Sequence, residues 1–220
     1  MNYPIGIQNF KEIREGGYVY VDKTAFLYKM VAQGKYYFLS RPRRFGKSLL
    51  LSTLRAYFEG RRELFEGLAI ADLEKEWKSY PVLYLDLNAE KFNEPDDLNR
   101  LLNVSLRQWE DIYGSKDYEQ TLSSRFRGVI QRAAQKTGKN VVILVDEYDK
   151  PLLQTIDDPA LQDDYRSTLK AFYGNLKTCD EYIKFAFLTG VTKFGKVSVF
   201  SDLNHLTDIS LLPQFTDICG

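Results

Sequence analysis

An uninterrupted apolar run in the second half of the chain places the strongest limit on its fold. Residues 140–145 read NVVILV, and the five residues after Asn140 are all branched and apolar. A run this short predicts a β-strand that is covered on both faces, because a half-exposed strand would alternate apolar and polar residues. Such strands occur mainly in parallel sheets with helices on each side. The run therefore predicts an α/β protein with a mostly parallel sheet.

The rest of the chain alternates strand and helix patterns in the way that such a sheet requires. Further strands are predicted over 35–39, 81–87, 182–188 and, with a weaker pattern, 206–212. Apolar residues at helical spacing predict helices over 24–33, 47–59, 95–113, 118–136 and 159–177, and segment 61–80 is charged and partly helical. Residues 18–24 predict an extended segment that ends at Asp22, with Thr24 as the N-cap of the first helix. This alternation implies crossover connections between parallel strands.

Length and charge balance predict one soluble domain. The chain has 220 residues, of which 44% are hydrophobic, enough for one full-sized core. Its 30 basic residues balance 30 acidic ones, so no net field draws it to nucleic acid or to a membrane. The N-terminus lacks the pattern of a signal peptide, and the two cysteines form neither a disulfide framework nor a metal-ligand spacing. We expect a single domain over 1–220, with 1–34 as an N-terminal lead-in, located in the cytoplasm without membrane contact.

The segment LSRPRRFGKSLL (39–50) resembles the end of a phosphate-binding loop placed between a strand and a helix. In such a loop a glycine permits close backbone approach, a lysine reaches the terminal phosphates, and the next hydroxyl faces Mg²⁺. Gly46, Lys47 and Ser48 match these roles. The candidate nucleotide-contacting residues are Arg44, Phe45, Gly46, Lys47, Ser48 and Leu49. The alternative is an ordinary helix N-terminus that begins after a glycine.

Arg41 stands where the usual loop pattern has its first glycine. Pro42 biases Arg41 toward extended backbone and has no N–H of its own, so the phosphate-binding amides must come from about Arg44 to Ser48. Two further arginines, Arg43 and Arg44, follow in the loop. The charges of all three arginines suit phosphate, although solvated arginines or a contact with a partner remain alternatives.

The predicted central strand delivers two carboxylates, Asp146 and Glu147, directly at its C-terminal end. In ATPases with a phosphate loop, an aspartate at this place orders the Mg²⁺ shell and a following glutamate polarises the attacking water. The strand over 182–188 leads into Thr189, whose hydroxyl suits contact with that water or with the γ-phosphate. A solvated turn and a threonine that simply ends a strand are the respective alternatives. We predict Lys47, Glu147 and Thr189 as catalytic residues, and Ser48 and Asp146 as metal ligands.

Four strings together resemble the bacterial AAA-ATPase-like family: YVDKT (20–24), RPRRFGKSLL (41–50), VDEYDKP (145–151) and FLTGVTKF (187–194). The resemblance implies a P-loop fold with three layers, α/β/α, in the additional-strand (ASCE) arrangement of order 5-1-4-3-2. It also implies that the strand bearing the Walker B carboxylates lies between the loop strand and its neighbour. Arg-Pro-Arg-Arg at the loop entrance is common in the family, which makes Arg41 a family trait.

The same resemblance assigns roles by position. Lys47 and Ser48 correspond to the Walker A residues, Asp146 and Glu147 to the Walker B pair, and Thr189 to the sensor position. Asp22 and Lys23 belong to the YVDKT element, which we expect to pack near the nucleotide base. Asp149 and Lys150 belong to the Walker B string without an assigned chemical role.

Family members often continue into a C-terminal region that resembles PD-(D/E)xK nucleases, so the chain is expected to be part of a longer protein. The one comparable string here is Asp72 with Glu76-Trp77-Lys78, in a charged, helix-like segment without a strand pair to carry a metal. We therefore predict no nuclease activity for these residues. Nucleic acid is an expected partner only through the missing region.

The predicted function is Mg²⁺-dependent ATP binding and hydrolysis that drives a conformational switch. Turnover is expected to be slow in isolation, because a partner or a second copy of the chain would have to supply an arginine finger. The alternative is a nucleotide-gated module that binds protein or nucleic acid with little hydrolysis. A small-molecule kinase is disfavoured, since no arginine follows Lys196 to build a lid.

Overall fold

A computed structural model describes residues 2–193, 199–201, 203 and 206–219, and its centre is a parallel sheet. The five strands of the described residues are β1 (Tyr36–Ser40), β2 (Val82–Asp86), β3 (Val141–Asp146), β4 (Ile183–Gly190) and β5 (Thr207–Asp208). Every pairing between them is parallel. The predicted α/β class with a parallel sheet is confirmed, although the last strand covers only two residues of the predicted 206–212.

The strands lie in the order β2-β3-β4-β1-β5, which reads 5-1-4-3-2 from the β5 edge. The expectation that the carboxylate-bearing strand lies between the loop strand and its neighbour is wrong. β4 lies between them and pairs with β1 through Leu39 and Thr189 and with β3 through Val145 and Leu188. The position fits its composition, because β4 is buried along nearly its whole length, as a central strand with covered faces must be.

Helices cover both faces of the sheet and complete three layers. They are α1 (Phe10–Glu15), α2 (Thr24–Gln33), α3 (Lys47–Phe58), α4 (Ala69–Leu73), α5 (Asp97–Tyr113), α6 (Leu122–Thr137), α7 (Lys150–Gln154), α8 (Pro159–Tyr173) and α9 (Asn175–Thr178). Helices α1 to α4 pack on one face, against the even-numbered β3 residues Val142 and Leu144. Helices α5 to α9 share the other core with the odd-numbered Ile143 and Val145. Successive side chains of one strand thus enter two different cores.

Several helix boundaries differ from the sequence prediction for local reasons. Thr24 is the first helical residue and not the N-cap. The backbone N–H of Thr24 (2.8 Å) and its hydroxyl (2.6 Å) both donate hydrogen bonds to Asp22 Oδ1. The helix predicted from 118 begins at Leu122, because Thr121 and Ser124 form a reciprocal capping box. The helix predicted over 159–177 is divided at Gly174. Helices α1 and α7 were not predicted, since six and five residues are too few to show a period.

Candidate functional site

The carboxyl ends of β1, β3 and β4 meet at one edge of the sheet and bring three distant segments together. The Ser48 hydroxyl, at the start of α3, donates a hydrogen bond of 2.6 Å to Asp146 Oδ2. The Thr189 hydroxyl, at the end of β4, donates one of 2.6 Å to Asp146 Oδ1. Asp146 is only 3% exposed. Each of its oxygens therefore accepts a hydrogen bond from a different element, the start of α3 or the end of β4.

Lys47 lies beside the second carboxylate of the same edge. Its Nζ is 3.2 Å from Glu147 Oε1, and it donates hydrogen bonds to the carbonyls of Arg41 (3.0 Å) and Pro42 (3.2 Å). The lysine is 4% exposed, so its charge is compensated by these three acceptors and not by water. The structure thus brings together all five residues that the sequence predicted for catalysis and metal binding.

Glu147 combines an unusual backbone with a perturbed carboxyl group. Its φ is 55°, in the left-handed region that few non-glycine residues adopt. Its N–H donates a long hydrogen bond of 3.4 Å to Thr189 Oγ1. Burial raises the pKa of the Glu147 carboxyl above its ordinary value, and the Lys47 ammonium opposes this only in part. A carboxyl group held in this way is suited to accept a proton.

The predicted phosphate-binding loop is open to solvent. Gly46 has φ of 77° and Arg44 has φ of 67°, so the backbone turns left-handed twice before α3 begins at Lys47. From Pro42 to Gly46 every residue is exposed, and Ser48 and Leu49 are half-buried. Leu49 packs partly against the core that α3 shares with the sheet. The six candidate nucleotide-contacting residues are therefore consecutive. Arg44 to Gly46 form an exposed turn, and Lys47 to Leu49 are the first residues of α3.

The three loop arginines have different surroundings. The Arg41 guanidinium donates to the carbonyl oxygens of Ser210 and, at 3.4 Å, Thr216. Its backbone N–H donates to Gly190 O at 3.2 Å. Arg41 therefore fastens the loop to the chain around β5, and the sequence hypothesis that it neutralises phosphate has no support in this geometry. Arg43 and Arg44 make no hydrogen bond or ion pair with any residue that the structure describes.

Asp149 and Lys150, which have no role assigned from the sequence, position neighbouring loops. Asp149 is fully buried, and its carboxylate accepts hydrogen bonds from the backbone N–H groups of Val191 (3.1 Å) and Thr192 (2.7 Å). Lys150 Nζ donates to the carbonyls of Asn88 and Glu90, each at 2.8 Å. The loops after β4 and β2 are thus both tied to the segment after β3. The polar DEYDK string after a core strand was the only signal, and it did not identify the partners.

Other candidates from the sequence lie elsewhere. Asp22 accepts a hydrogen bond of 2.7 Å from Ala69 N, and so joins the N-termini of α2 and α4. Asp72 lies in α4, while Glu76 and Lys78 form an exposed ion pair. Among the described residues no three His, Cys, Asp or Glu side chains form a metal-binding group of the kind a nuclease needs. The predicted sensor string ends at Phe194, which lies outside the described residues.

A cavity of about 660 Å³ adjoins the carboxylate edge. Ser48 and Asp146 line it together with Tyr84 and Asp86 of β2, the outer face of α3 and residues 6–9. Asp86 is paired in register with Asp146 on the neighbouring strand. Burial raises the pKa of the Asp86 carboxyl, and the charge of Asp146 adds to this effect. Two adjacent carboxylates and a hydroxyl thus face the same polar space.

The oxygen atoms at this edge fit a magnesium ion. Mg²⁺ takes hard oxygen ligands and commonly uses one or two carboxylates together with phosphate and water. Asp146 is buried, yet within the described part of the chain no basic side chain lies within 4 Å of its carboxylate. Buried charges in proteins are normally paired or bound to metal. Ser48 and Asp146 are therefore suited to hold the ion, as the sequence predicted.

No helix among the described residues combines the length and apolar composition needed to cross a bilayer.

Comparisons with known proteins agree with the geometry. The chain is 42% identical over 218 residues to an uncharacterized protein in the vnfD 5′ region of Azotobacter chroococcum mcd 1. The alignment covers 99% of the chain but 42% of the relative, so the chain spans less than half of that protein's length. No solved structure matches the chain. The model of the family described as "Predicted AAA-ATPase" matches residues 4–200, and the chain therefore belongs to the predicted AAA-ATPase family.

Proposed function

We propose that the chain binds Mg·ATP at the loop after β1 and hydrolyses its γ-phosphate. The observation that carries the proposal is the meeting of Lys47 and Ser48 with Asp146, Glu147 and Thr189 at one sheet edge. Membership of the predicted AAA-ATPase family supports nucleotide binding. In open α/β sheets, ligands bind outside the carboxyl ends of the strands, which is where these groups lie.

The loop would bind the triphosphate through its backbone and one charge. The amides from Arg44 to Ser48 and the N-terminus of α3 supply N–H donors for phosphate oxygens. Lys47 reaches the terminal phosphates once it leaves its carbonyl acceptors. Ser48 and Asp146 would hold Mg²⁺, which when bound neutralises charge on the β- and γ-phosphates. The exposed Arg43 and Arg44 are free to approach the nucleotide or a partner protein.

Glu147 is the base in this proposal, and its activation depends on Lys47. In the structure the Glu147 carboxylate is occupied by the lysine ammonium at 3.2 Å. A phosphate that attracts Lys47 would leave Glu147 without this cation, and the carboxylate would then accept a proton from water more readily. Thr189 is fully buried with its hydroxyl bound to Asp146. We therefore assign Thr189 a positioning role that acts through Asp146.

A nucleotide-gated binding module with little hydrolysis is the second candidate. The Lys47–Glu147 ion pair favours it, because the predicted base is neutralised in the structure described here. Arg125 is also engaged, in a two-point ion pair with Glu110, and so is not free to act as an arginine finger. In either case a second copy or a partner protein would supply the arginine, and ATP turnover would change the conformation around the site.

Two substitutions separate these possibilities. Lys47→Ala should abolish ATP binding, whereas Glu147→Gln should retain binding and lose hydrolysis. Binding is measured by calorimetry with Mg·ATP, and hydrolysis by single-turnover release of phosphate at saturating Mg·ATP. Lys29→Ala, at an exposed position of α2, is the matched control, and circular dichroism verifies the fold of each variant.

Each outcome has a clear meaning. Binding without phosphate release in the unsubstituted chain would establish the nucleotide-gated module. Equal binding by the Lys47→Ala variant and the Lys29→Ala control would overturn the proposed site.

A further inference from the structure

Asp86 lies beside the proposed metal ligands and is absent from the motifs that predicted them. It ends β2, and its backbone is aligned with that of Asp146 at the end of β3. Tyr84 lies two residues before Asp86, and Leu144 lies two residues before Asp146. The side chains of Tyr84 and Leu144 pack against the core on the α3 side. Because side chains of register partners in parallel strands point to the same face, Asp86 and Asp146 both face α3.

In the described part of the chain the charge of this carboxylate pair is compensated only at a distance, because the Lys150 ammonium acts on Asp86 without forming an ion pair. The three basic side chains that line the shared cavity each lie against a glutamate: Lys11 with Glu15 (3.9 Å), Arg55 with Glu59 (2.7 Å), and Arg61 with Glu63. Lys150 directs its ammonium to the carbonyls of Asn88 and Glu90. Neither Asp86 nor Asp146 has an ion-pair partner within 4 Å among the described residues.

The hydrogen bonds of the two carboxylates differ in a way that leaves Asp86 available. Asp146 accepts from two hydroxyls, one at each oxygen. Asp86 accepts one hydrogen bond, at Oδ1 from Asn88 N–H (2.7 Å). Its Oδ2 has no donor among the residues that the structure describes. A half-buried carboxylate with one free oxygen, next to a site suited to a divalent cation, can hold water in the shell of that cation.

We propose that Asp86 is a positioning residue of the metal site and that its carboxylate would hold water molecules in the shell of a bound Mg²⁺. This inference rests on the proposed function, since it concerns the metal that accompanies ATP. Outer residues of this kind commonly contribute a factor of about 10–100 to metal affinity. Asp86 would add a residue of β2 to the Ser48–Asp146 pair, which comes from α3 and β3.

The test is a Mg²⁺ titration of the Asp86→Asn variant, with and without nucleotide. With a fixed concentration of ATP, the Mg²⁺ concentration for half-maximal binding should rise about tenfold, and saturating Mg²⁺ should restore full binding. Without nucleotide and in EDTA, the variant should unfold at a higher temperature than the unsubstituted chain, because one of two adjacent charges is gone. Asp111→Asn, an exposed carboxylate on α5, is the matched control and should change neither value.

The outcomes distinguish this inference from the proposed function. If the unsubstituted chain binds Mg·ATP and Asp86→Asn has the same Mg²⁺ dependence as Asp111→Asn, the role of Asp86 is refuted and the ATP site stands. If no variant binds Mg·ATP, the proposed function fails. In that case the role of Asp86 is tested by adding Mg²⁺ without nucleotide. Mg²⁺ should raise the unfolding temperature of the unsubstituted chain and not that of the Asp86→Asn variant. Equal changes in the two unfolding temperatures would refute the role.

Discussion

The two halves of the candidate site are built in different ways. On the metal side, Asp146 is buried and its two oxygens accept hydrogen bonds from the hydroxyls of Ser48 in α3 and Thr189 in β4. On the phosphate side, residues from Pro42 to Gly46 are exposed, and Arg43 and Arg44 make no polar contact with the described residues. The first half is fixed by the fold before any ligand arrives. In the second half, the donors of Arg43 and Arg44 lie at an exposed surface.

Backbone strain is present in both halves but has different compensation. Glu147 and Arg44 both have positive φ, at 55° and 67°. Such a conformation costs a non-glycine residue about 1–2 kcal/mol. The strained position of Glu147 is accompanied by an ion pair with the buried Lys47. Arg44 has no such contact within the described chain, so its strain is retained without a stabilising interaction in the free protein.

The largest effect is expected from breaking the metal side at its centre. Asp146→Ala removes the acceptor of both the Ser48 and the Thr189 hydroxyls and one proposed metal ligand. Loss of a direct ligand should exceed the factor of about 10–100 typical of an outer partner, so Mg²⁺-dependent ATP binding should disappear. Calorimetry with Mg·ATP measures this, with Asp111→Ala as the exposed control. Binding that remains Mg²⁺-dependent in Asp146→Ala would show that the metal lies elsewhere.

A smaller effect should follow from Thr189→Val, which preserves shape and removes one hydroxyl. The buried Asp146 Oδ1 then loses its donor of 2.6 Å, which should lower the free energy of unfolding by about 1–3 kcal/mol. Because Thr189 is a positioning residue, the Thr189→Val substitution should also weaken Mg²⁺ affinity about tenfold. Urea unfolding and a Mg²⁺ titration measure the two changes, and Thr178→Val, at an exposed position, is the control. A lower rate of hydrolysis with unchanged Mg²⁺ affinity would instead place Thr189 in contact with the reacting groups.

The smallest effect is expected on the phosphate side, from Arg44→Gly. Glycine relieves the left-handed strain but adds freedom to the unfolded chain, so the free energy of unfolding should rise by about 0.5–1 kcal/mol. ATP affinity should fall at most about fivefold, because an exposed charge pair contributes about 0.2–1 kcal/mol. Arg43→Gly removes a charge from a position without positive φ and should not stabilise the protein. Equal stability of the two variants, measured by urea unfolding, would contradict the strain argument.

The sequence was most informative where chemistry depends on short spacing. Lys47 and Ser48 follow Gly46 directly, and Asp146 and Glu147 follow an apolar strand directly, so each pair could be placed from its immediate neighbours. Their meeting in space followed from the parallel sheet, because carboxyl ends of parallel strands share an edge. Thr189, at the end of β4, lies near these residues for the same reason, whereas its predicted catalytic role stays a prediction.

Contacts between distant segments could not be predicted in the same way. Arg41 binds the carbonyl of Ser210, and Asp149 binds the amides after β4; a backbone group leaves no signature in the sequence. Asp86 was overlooked because a single aspartate after a strand resembles any solvated strand end. Its significance depends on the register between β2 and β3, which no local pattern specifies.

The tie between Arg41 and the carbonyl of Ser210 also has a consequence for the order of events during synthesis. The ribosome produces the phosphate loop early, whereas its anchor, together with the short β5 that pairs with β1, emerges some 170 residues later. The loop entrance can therefore adopt its final geometry only after nearly all of these residues have been made. A nascent chain that has emerged from the ribosome as far as Lys47 but not as far as Ser210 should expose the lysine before the loop entrance is anchored.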